Sequence, residues 1–237
     1  MKLTTILTGT ALTAALALTP AAAMAQTGTG ARRDATVDRV KTRCLAAIDR
    51  RQQAIVELNN RLDNRSNLQD AHRSALKQID DQTSAGLTAL ANTIQGDTTG
   101  EQLRTDCRAI VDDYRVFVLV RPRARIVVTG DRELAAIDKL TDAAGRIQTA
   151  IDKQKADGKD TSKAEADLAT MKSAIATASQ HAGAVYDEVI HITPQTYTQG
   201  VLSAGRSDLQ AGRDAVRSAA KAGHAAVADL KGSSSAA

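Results

Sequence analysis

Apolar residues recur every three or four positions along most of the chain, with polar and charged residues between them. Residues at this spacing share one face of an α-helix, because a helix completes a turn in about 3.6 residues. The pattern predicts long helices over about 33–65, 67–96, 101–119, 122–157, 162–192 and 194–231. In the fifth helix the apolar steps alternate between four and three, which is typical of a coiled-coil seam. The chain is therefore predicted to be all-α, an elongated antiparallel bundle of about six long helices in two three-helix coiled-coil units.

The two predicted units meet at a short junction. Helical unit 1 covers residues 33–119, and helical unit 2 covers residues 122–231. Small and polar residues at 26–32 predict a disordered lead-in, and the residues at 232–237 predict a disordered tail. The conformation of residues 119–125 decides whether the units fold back on each other or extend the molecule.

The junction contains the densest run of β-branched residues, and it allows two interpretations. The helical spacing of unit 1 enters this run without a break and continues to Val118, which favours helix–proline–helix. Pro122 then lies in the first turn of a new helix, where its missing N–H costs little. The alternative is a short β-hairpin at residues 116–128. A rival start for the fourth helix is Thr129 or Gly130.

Local signals mark the beginnings of the last two helices. Ser162 and Glu165 have the spacing of a capping box for the fifth helix. Thr193 and Pro194 match an N-cap followed by proline at the first helical position of the sixth. The seam of the sixth helix carries three glycines, Gly205, Gly212 and Gly223. Because glycine inside a helix costs about 1 kcal/mol against alanine, these positions predict a close approach to the alanine-rich fifth helix.

The first 25 residues have the three parts of a secretory signal peptide. Lys2 provides a positive start, Leu3 to Leu18 form an apolar segment, and Ala23-Met24-Ala25 is a small-x-small cleavage pattern. We therefore expect cleavage after about Ala25 and a secreted or extracytoplasmic protein. Threonines interrupt the apolar segment, which argues against a membrane anchor. No later segment is apolar enough to be a transmembrane segment after cleavage.

Composition and charge limit the kind of core and the classes of partner that we expect. Aromatic residues make up 2% of the chain and tryptophan is absent, so the core is predicted to consist of aliphatic side chains. The formal net charge is +4, and removing Lys2 with the signal peptide leaves 30 basic and 27 acidic residues. This small excess does not indicate a nucleic-acid partner, and no aromatic residues are interleaved for base stacking.

Two cysteines in an exported chain predict one disulfide, between Cys44 and Cys107. Helix lengths support this pairing. If the first three helices run up, down and up, Cys44 lies about 16 Å and Cys107 about 14 Å above the base of the first helix. The alternative is two buried free thiols. Two distant cysteines are too few for a metal site.

The most concentrated basic patch lies at the junction and comprises Arg121, Arg123 and Arg125. Guanidinium groups bind phosphates and carboxylates through paired hydrogen bonds, so this patch is a candidate anion-binding site. Its ligand would be an anionic envelope polymer or a lipid headgroup. The alternative is a solvated junction in which the arginines pair with Asp112, Asp113 or Asp131.

No arrangement of residues in the sequence indicates catalysis. Asp112 and Asp113 diverge by about 100° on a helix, so they do not form a catalytic carboxylate pair. The four histidines lack the spacing of a metal site, and aligning the fifth and sixth helices predicts no His–carboxylate cluster. Tyr186 and Tyr197 are predicted to form a small aromatic contact. We expect a protein that is not an enzyme, with no catalytic residues, metal or cofactor.

The junction carries a resemblance to a protein family. Its block comprises Asp113-Tyr114-Arg115-Val116-Phe117, Val118-Leu119-Val120 and Arg121-Pro122-Arg123. With an upstream cysteine and the later Thr193-Pro194 turn and Tyr197, the block resembles secreted, coiled-coil-like α-helical proteins of high-GC Gram-positive bacteria. The activity of that family is uncharacterised. The resemblance implies an all-helical fold and export, and it transfers no catalytic residues.

These features favour an exported, non-enzymatic helical-bundle protein with a structural or interaction role at the cell envelope or outside the cell. The alternative is a binding module for an anionic envelope polymer or lipid headgroup, acting through the three junction arginines. The expected partner is an unidentified protein or envelope component. The apolar helix seams also allow a homo-oligomer.

Overall fold

The computed structural model of this protein describes residues 22–235, with side-chain environments over residues 35–232. Its helices are α1 (Ala22–Asp63), α2 (Asp70–Gly96), α3 (Gly100–Asp112), α4 (Arg121–Ala156), α5 (Ser162–Ile190) and α6 (Ser203–Ser235). A π-helical turn, Val116–Val120, directly precedes α4. No β-strand occurs within residues 22–235, so the predicted all-α fold class is confirmed. Most of the predicted signal peptide lies outside the described residues.

The junction is helical, but it differs from both interpretations in detail. The predicted hairpin at residues 116–128 is not formed, because the π-helical turn and α4 occupy this segment. α3 ends at Asp112 rather than continuing to Val118. Arg115 breaks the helix by adopting a left-handed backbone conformation with φ of 43°. This bend buries Val116, which is 0% exposed. Pro122 lies in the first turn of α4, as the helix–proline–helix interpretation predicts.

One predicted helix start and one predicted cap are wrong, although α5 begins at Ser162 as predicted. α6 begins at Ser203 rather than at Thr193-Pro194, since Thr193 and Thr196 form a closed turn. The Thr193 backbone N–H donates to Thr196 Oγ1 (2.9 Å), and the Thr196 N–H donates to Thr193 Oγ1 (3.2 Å). The predicted Ser162–Glu165 capping box is also not formed. Glu165 instead accepts hydrogen bonds from Thr161 Oγ1 (2.9 Å) and Lys155 Nζ (2.8 Å).

Both ends of the described chain are more helical than predicted. α1 includes residues 26–32, in place of the predicted disordered lead-in. This segment contains no proline, but its two glycines and two threonines do not favour helix, so its helix continues outward from the packed part of α1 without support from intrinsic propensity. α6 continues to Ser235, which makes the first part of the predicted tail at 232–237 helical.

The first three helices pack around an aliphatic core. Its buried members are Ile48, Ala54, Ile55, Leu87, Ile94, Leu103, Ile110 and Val116. A disulfide joins Cys44 of α1 to Cys107 of α3, with a Cα–Cα distance of 5.6 Å. The predicted pairing is therefore confirmed. The bond closes a loop of 63 residues, which is worth about 4 kcal/mol of stability in the chain-entropy model.

The last three helices pack through an alanine- and glycine-rich contact. On α5 the buried face is Ala164, Leu168, Met171, Ala178, Ala182, Val185 and Val189, and it follows the predicted apolar stripe. A Cβ atom added at Gly205 would lie 2.9 Å from a methyl group of Val189, and one added at Gly223 would lie 2.8 Å from Met171 Sδ. At these two positions α6 approaches α5 closely, as the sequence predicts, whereas a Cβ atom added at Gly212 would lie nearest to Glu133 Oε2 of α4, at 3.0 Å.

A shared apolar cluster connects the two sets of helices. The end of α1, the α1–α2 turn and the start of α2 contribute Leu62, Leu68 and Leu76 to it. The start of α4 and the π-helical turn contribute Leu119, Ala124, Ile126 and Val127. The end of α5, its connection to α6 and the start of α6 contribute Val185, Val189, Ile192, Leu202 and Leu209. The first turns of α4 thus lie between the α1–α2 turn and the α5–α6 connection.

None of the helices within residues 22–235 combines the length and the apolarity that crossing a membrane requires.

The disulfide provides a test of this fold. Reduction is expected to lower the free energy of unfolding by about 4 kcal/mol, because it releases the long loop between Cys44 and Cys107 in the unfolded chain. Urea unfolding followed by circular dichroism, with and without reductant, measures this change. In a Cys44→Ala/Cys107→Ala variant, reductant should have no effect. Two alkylatable thiols in the non-reduced protein would contradict the disulfide.

Candidate functional site

The predicted arginine patch is divided by the helix that carries it. Arg121, Arg123 and Arg125 all lie in the first turns of α4. Residues two positions apart in a helix are rotated by about 200°, so Arg123 points away from the other two. Arg125 is exposed and Arg121 is half-buried, whereas Arg123 is only 4% exposed. The structure therefore brings two of the three predicted anion-binding residues to one face and removes Arg123 from it.

Arg123 binds the end of α5 instead of a solvent anion. Its Nη1 donates to the backbone carbonyl of Ile192 (2.7 Å) and lies 3.5 Å from that of Ile190. The last carbonyl groups of a helix receive no hydrogen bond from within the helix, and they carry partial negative charge. A guanidinium group supplies both the N–H donors and a positive charge. Arg123 of α4 therefore binds the segment just after α5 and also approaches Ile190, whose carbonyl group is the last of the helix.

Asp80 of α2 is the buried carboxylate that faces Arg123. It is 2% exposed, and its Oδ2 has no hydrogen-bond partner among the described residues. Burial raises the pKa of Asp80 to about 7, against the lowering effect of the positive charge on Arg123. Burial also lowers the pKa of Arg123, and the charge on Asp80 partly offsets this effect. The two side chains therefore influence each other's pKa, although no ion pair or hydrogen bond joins them among the described side chains.

Asp131 of α4 is an acidic residue that binds the start of α2. Its Oδ2 accepts the backbone N–H of Gln69, the residue preceding α2, at 2.8 Å. Its Oδ1 lies 2.8 Å from His72 Nδ1, which donates because an ionised carboxylate only accepts. The carboxylate thus lies at the positive end of the α2 dipole. The ring of His72 stacks on that of Tyr186 in α5, with centroids 3.7 Å apart.

A second arginine extends these contacts to the loop after α5. Arg115, the residue with the left-handed backbone, donates through Nε to the carbonyl oxygen of Pro194 (3.0 Å). Its guanidinium carbon lies 4.9 Å from the ring centroid of Tyr197. The predicted contact between Tyr186 and Tyr197 is replaced, since Tyr186 stacks on His72 and Tyr197 lies against Arg115.

The outer side of the bend between α3 and α4 exposes apolar side chains. Val111, Phe117 and Val118 are 49%, 45% and 46% exposed, and we call these three residues the elbow surface. The guanidinium carbons of Arg51 and Arg121 lie 5.2 Å and 5.9 Å from the centroid of the Phe117 ring. These are cation–π distances, so two guanidinium groups lie over the half-exposed Phe117 ring.

Two further polar clusters lie between α4, α5 and α6. Glu133 of α4 is 8% exposed, and its Oε1 lies 3.6 Å from Arg213 Nη2 of α6. Burial raises the pKa of Glu133, and Arg213 opposes this shift. On the α5–α6 surface, His181 Nδ1 lies 2.5 Å from Asp208 Oδ1. Contact with Asp208 and partial burial raise the pKa of the neighbouring Glu188, with burial as the larger cause.

The His181–Asp208 pair corrects the prediction that no His–carboxylate cluster forms. Alignment of the fifth and sixth helices pairs His181 with Arg206 when the sixth helix starts near residue 194. Because α6 begins at Ser203 after a longer connection, its register against α5 differs from that alignment: Gly205 lies against Val189 and Gly212 against Ala182. The sequence could not predict the His72–Asp131 pair, because the two residues belong to helices of different predicted units.

Two clefts of the described surface lie outside the contacts of Arg123 and Asp131. A cleft of about 280 Å³ between the start of α5 and the end of α6 is lined by Lys163 and Asp229, which pair with each other at 2.6 Å. A shallower groove of about 500 Å³ follows the end of α1, beside Glu57 and Arg61. Within residues 22–235, no group of three or more histidine, cysteine, aspartate or glutamate side chains has the arrangement of a metal site.

Comparison of the chain with protein-family models, with curated proteins and with solved structures finds no match. The site is therefore interpreted from its own geometry. Its main feature is a set of buried charged side chains on α4 that bind helix ends of both halves of the molecule.

The raised pKa of Asp80 predicts a pH-dependent effect of substitution. In the unfolded chain an aspartate titrates near pH 4, so the folded state loses stability as the pH rises from about 4 to about 7. Asparagine cannot ionise. The free energy of unfolding of Asp80→Asn, relative to the wild type, should therefore increase between pH 4 and pH 8, by up to about 4 kcal/mol.

Urea unfolding at several pH values measures this difference. Asp142→Asn, at an exposed position of α4, is the matched control and should show no such trend. A constant difference between Asp80→Asn and the wild type across this pH range would contradict a pKa near 7.

The contacts of Arg123 at the end of α5 predict a large loss of stability in Arg123→Met. Methionine is of similar length, but it has no positive charge near Asp80 and no N–H group to donate to the carbonyl oxygens of Ile190 and Ile192. We expect a loss of about 3 kcal/mol in the free energy of unfolding. Arg125→Met, at the exposed position two residues later, should change it by less than about 0.5 kcal/mol. Equal effects of the two substitutions in thermal or urea unfolding would refute this role of Arg123.

Proposed function

We propose that the protein is an exported, non-enzymatic helical-bundle protein with a structural or interaction role at the cell envelope or outside the cell. The observation that carries this proposal is the junction, where Arg123 and Asp131 of α4 bind helix ends on both sides. Such a junction holds two helical units in a fixed relative position. A fixed spacing between distant surfaces is what a structural or adaptor protein needs.

The length of the helices supports a spacer role. α4 contains 36 residues and is about 54 Å long at 1.5 Å per residue. Only its first turns contact the α1–α2 turn, and the rest packs with α5 and α6 around Ala144, Ile147, Ile151 and their partners. Surfaces at the two ends of the molecule are therefore connected by continuous, buried helix rather than by a linker.

The disulfide supports an extracytoplasmic location. The Cys44–Cys107 bond is compatible with an oxidising compartment, since disulfides persist outside the cytoplasm and are rare within it. The signal-peptide pattern of the first 25 residues predicts the same destination. The resemblance to secreted helical proteins of high-GC Gram-positive bacteria agrees with this proposal and adds no activity to it.

The alternative function is binding of an anionic envelope polymer or lipid headgroup, now through Arg121 and Arg125 without Arg123. Within residues 35–232, neither side chain forms an ion pair with a carboxylate. Both lie on the same face of α4, one helical turn apart. Two guanidinium groups without counter-charges are able to bind phosphate or carboxylate groups.

Fractionation and crosslinking test the leading proposal. In the producing cell, a tagged chain is expected in the extracytoplasmic fraction with its two cysteines oxidised, and a chemical crosslinker should attach it to a defined envelope or secreted protein. Recovery from the cytoplasm with two free thiols would contradict the proposal. Turnover of a small-molecule substrate by the purified chain would contradict its non-enzymatic part.

Binding to isolated envelope material tests the alternative. Binding through Arg121 and Arg125 should weaken as salt is raised from about 50 mM to 500 mM, because salt screens exposed charges. It should also weaken in Arg121→Gln/Arg125→Gln. The control variant Arg146→Gln/Arg206→Gln removes two exposed arginines elsewhere and should bind normally. Binding that is the same for both variants would exclude the electrostatic alternative.

A further inference from the structure

An acid–base pair lies at each end of the contact between α2 and α4. Near one end, His72 Nδ1 of α2 lies 2.8 Å from Asp131 Oδ1 of α4. Near the other end, Asp80 of α2 faces Arg123 of α4, and each of the two shifts the pKa of the other. Midway between the pairs in sequence are two members of the shared apolar cluster, Leu76 and Val127. His72 and Asp80 are as far apart on α2 as Arg123 and Asp131 are on α4, so the two helices run antiparallel along this seam.

The two pairs differ in how their charges meet. Asp131 bonds directly to His72 and to the backbone N–H of Gln69. Asp80 and Arg123 are both buried, and neither an ion pair nor a hydrogen bond joins them among the described side chains. Asp80 Oδ2 and Arg123 Nε each have no hydrogen-bond partner in the part of the chain that the structure describes. The seam therefore buries an unused acceptor and an unused donor on facing helices.

This separation is the arrangement expected for a protonated Asp80. A carboxyl group that keeps its proton carries no charge, whereas an ionised carboxylate that is buried without a partner is strongly unfavourable. Burial raises the pKa of Asp80 to about 7, so the proton is held up to neutral pH. Once the proton is lost, a direct ion pair with Arg123 has the lower energy, because it joins the carboxylate to the unused N–H group.

Arg123 also holds the connection between α5 and α6, residues 191–202. Its Nη1 donates to the carbonyl oxygen of Ile192 at 2.7 Å and lies 3.5 Å from that of Ile190. The nitrogen atoms of a guanidinium group lie in one rigid plane. Movement of Nε towards Asp80 therefore displaces Nη1 as well, and the longer contact, to Ile190, is the first to be lost. One side chain thus connects the protonation of a residue on α2 to the end of α5.

We propose that the proton on Asp80 selects the partner of Arg123 and so acts as a pH-sensitive switch at the junction. With the proton present, Arg123 binds the carbonyl groups at the end of α5, as in this structure. Without it, Arg123 pairs directly with Asp80 and its bonds to Ile190 and Ile192 weaken, which loosens the α5–α6 connection. The switch goes beyond the proposed function, because it concerns the response of the junction to pH and holds wherever the protein acts.

The charged groups that act on Asp80 come from α4 and from α2 itself. Arg123 of α4 favours the ionised form of Asp80, and Asp81, its neighbour on α2, opposes it. From α1 and the π-helical turn, Leu62 and Leu119 belong to the adjoining apolar cluster, and neither side chain titrates. A guanidinium group stays charged throughout the neutral range. The proposed switch at this end of the seam therefore depends on the charge of Asp80.

His72, at the other end of the seam, also titrates in the neutral range. A histidine changes its charge between about pH 5 and pH 8. His72 contacts Asp131 of α4 and stacks on Tyr186 of α5, with ring centroids 3.7 Å apart. Its protonation therefore affects the same three helices. Substitution of Asp80 alone separates the two effects, because it leaves His72 and its partners in place.

A pH titration followed by NMR spectroscopy tests the switch in the purified exported form, labelled at the aspartate carboxyl carbons and the arginine nitrogens. The signals of Asp80 and Arg123 are assigned by their absence in Asp80→Asn and Arg123→Lys. The Asp80 carboxyl signal should titrate with a midpoint near pH 7, and the Arg123 Nε–H signal should shift with the same midpoint. Across this midpoint, hydrogen exchange of residues 187–202, corrected for its intrinsic pH dependence, should become about tenfold faster. This is the change expected when a hydrogen bond to a charged group is lost.

Asp80→Asn is the decisive variant, because asparagine has nearly the same shape as aspartate and cannot ionise. In this variant the Arg123 Nε–H signal and the exchange of residues 187–202 should not change with pH. In the control Asp142→Asn, at an exposed position of α4, both responses should remain. An Asp80 midpoint near pH 4 would overturn the proposal. A midpoint near pH 7 without a response of Arg123 and residues 187–202 would overturn it equally, as would a response that persists in Asp80→Asn and so belongs to His72.

Discussion

The structure depends on one helix that binds the ends of others. α4 places a cation, Arg123, on the carbonyl group of Ile192 just after α5, and an anion, Asp131, on the N–H group of Gln69 just before α2. Helix ends carry partial charges of these opposite signs and have unsatisfied backbone groups. Residues 123 and 131 are about 12 Å apart along α4 at 1.5 Å per residue. A single rigid segment therefore binds both halves of the molecule.

These polar contacts specify a geometry that apolar packing alone leaves open. The shared cluster around Leu62, Leu119 and Val189 consists of aliphatic side chains, which pack well in many relative orientations. The hydrogen bonds from Arg123 to particular carbonyl groups form in only one of these orientations. Burying Asp80 beside Arg123 costs stability, as the raised pKa of Asp80 indicates. We interpret this cost as the consequence of fixing the position of α4 between its neighbours.

Sequence periodicity predicted much of the helical framework because local spacing determines which face of a helix is apolar. This spacing accounts for the apolar stripes of α2 and α5 and for the close approach of α6 to α5 at Gly205 and Gly223. The pairing of Cys44 with Cys107 follows from helix lengths, since both cysteines lie far from the bends. Predictions failed where the chain changes direction. The left-handed Arg115 and the closed Thr193–Thr196 turn have no periodic signal.

The candidate site was less predictable than the fold. Treating Arg121, Arg123 and Arg125 as one patch overlooked a consequence of the helix predicted there, which is that alternate residues of a helix lie on opposite faces. The partners of Arg123 and Asp131 lie on α2 and α5, more than 50 residues away in sequence. Such contacts depend on how the units are placed relative to each other. No local pattern in one sequence contains that information.

Native-state hydrogen exchange, measured by mass spectrometry in increasing denaturant, tests most directly whether α4 couples the two halves. The slowest amides of α2 report on the first half, and those of α5 report on the second. Coupling through α4 predicts that both sets exchange with one common free energy of opening and the same dependence on denaturant. Opening of α2 at a distinctly lower free energy, while α5 stays protected, would contradict the account.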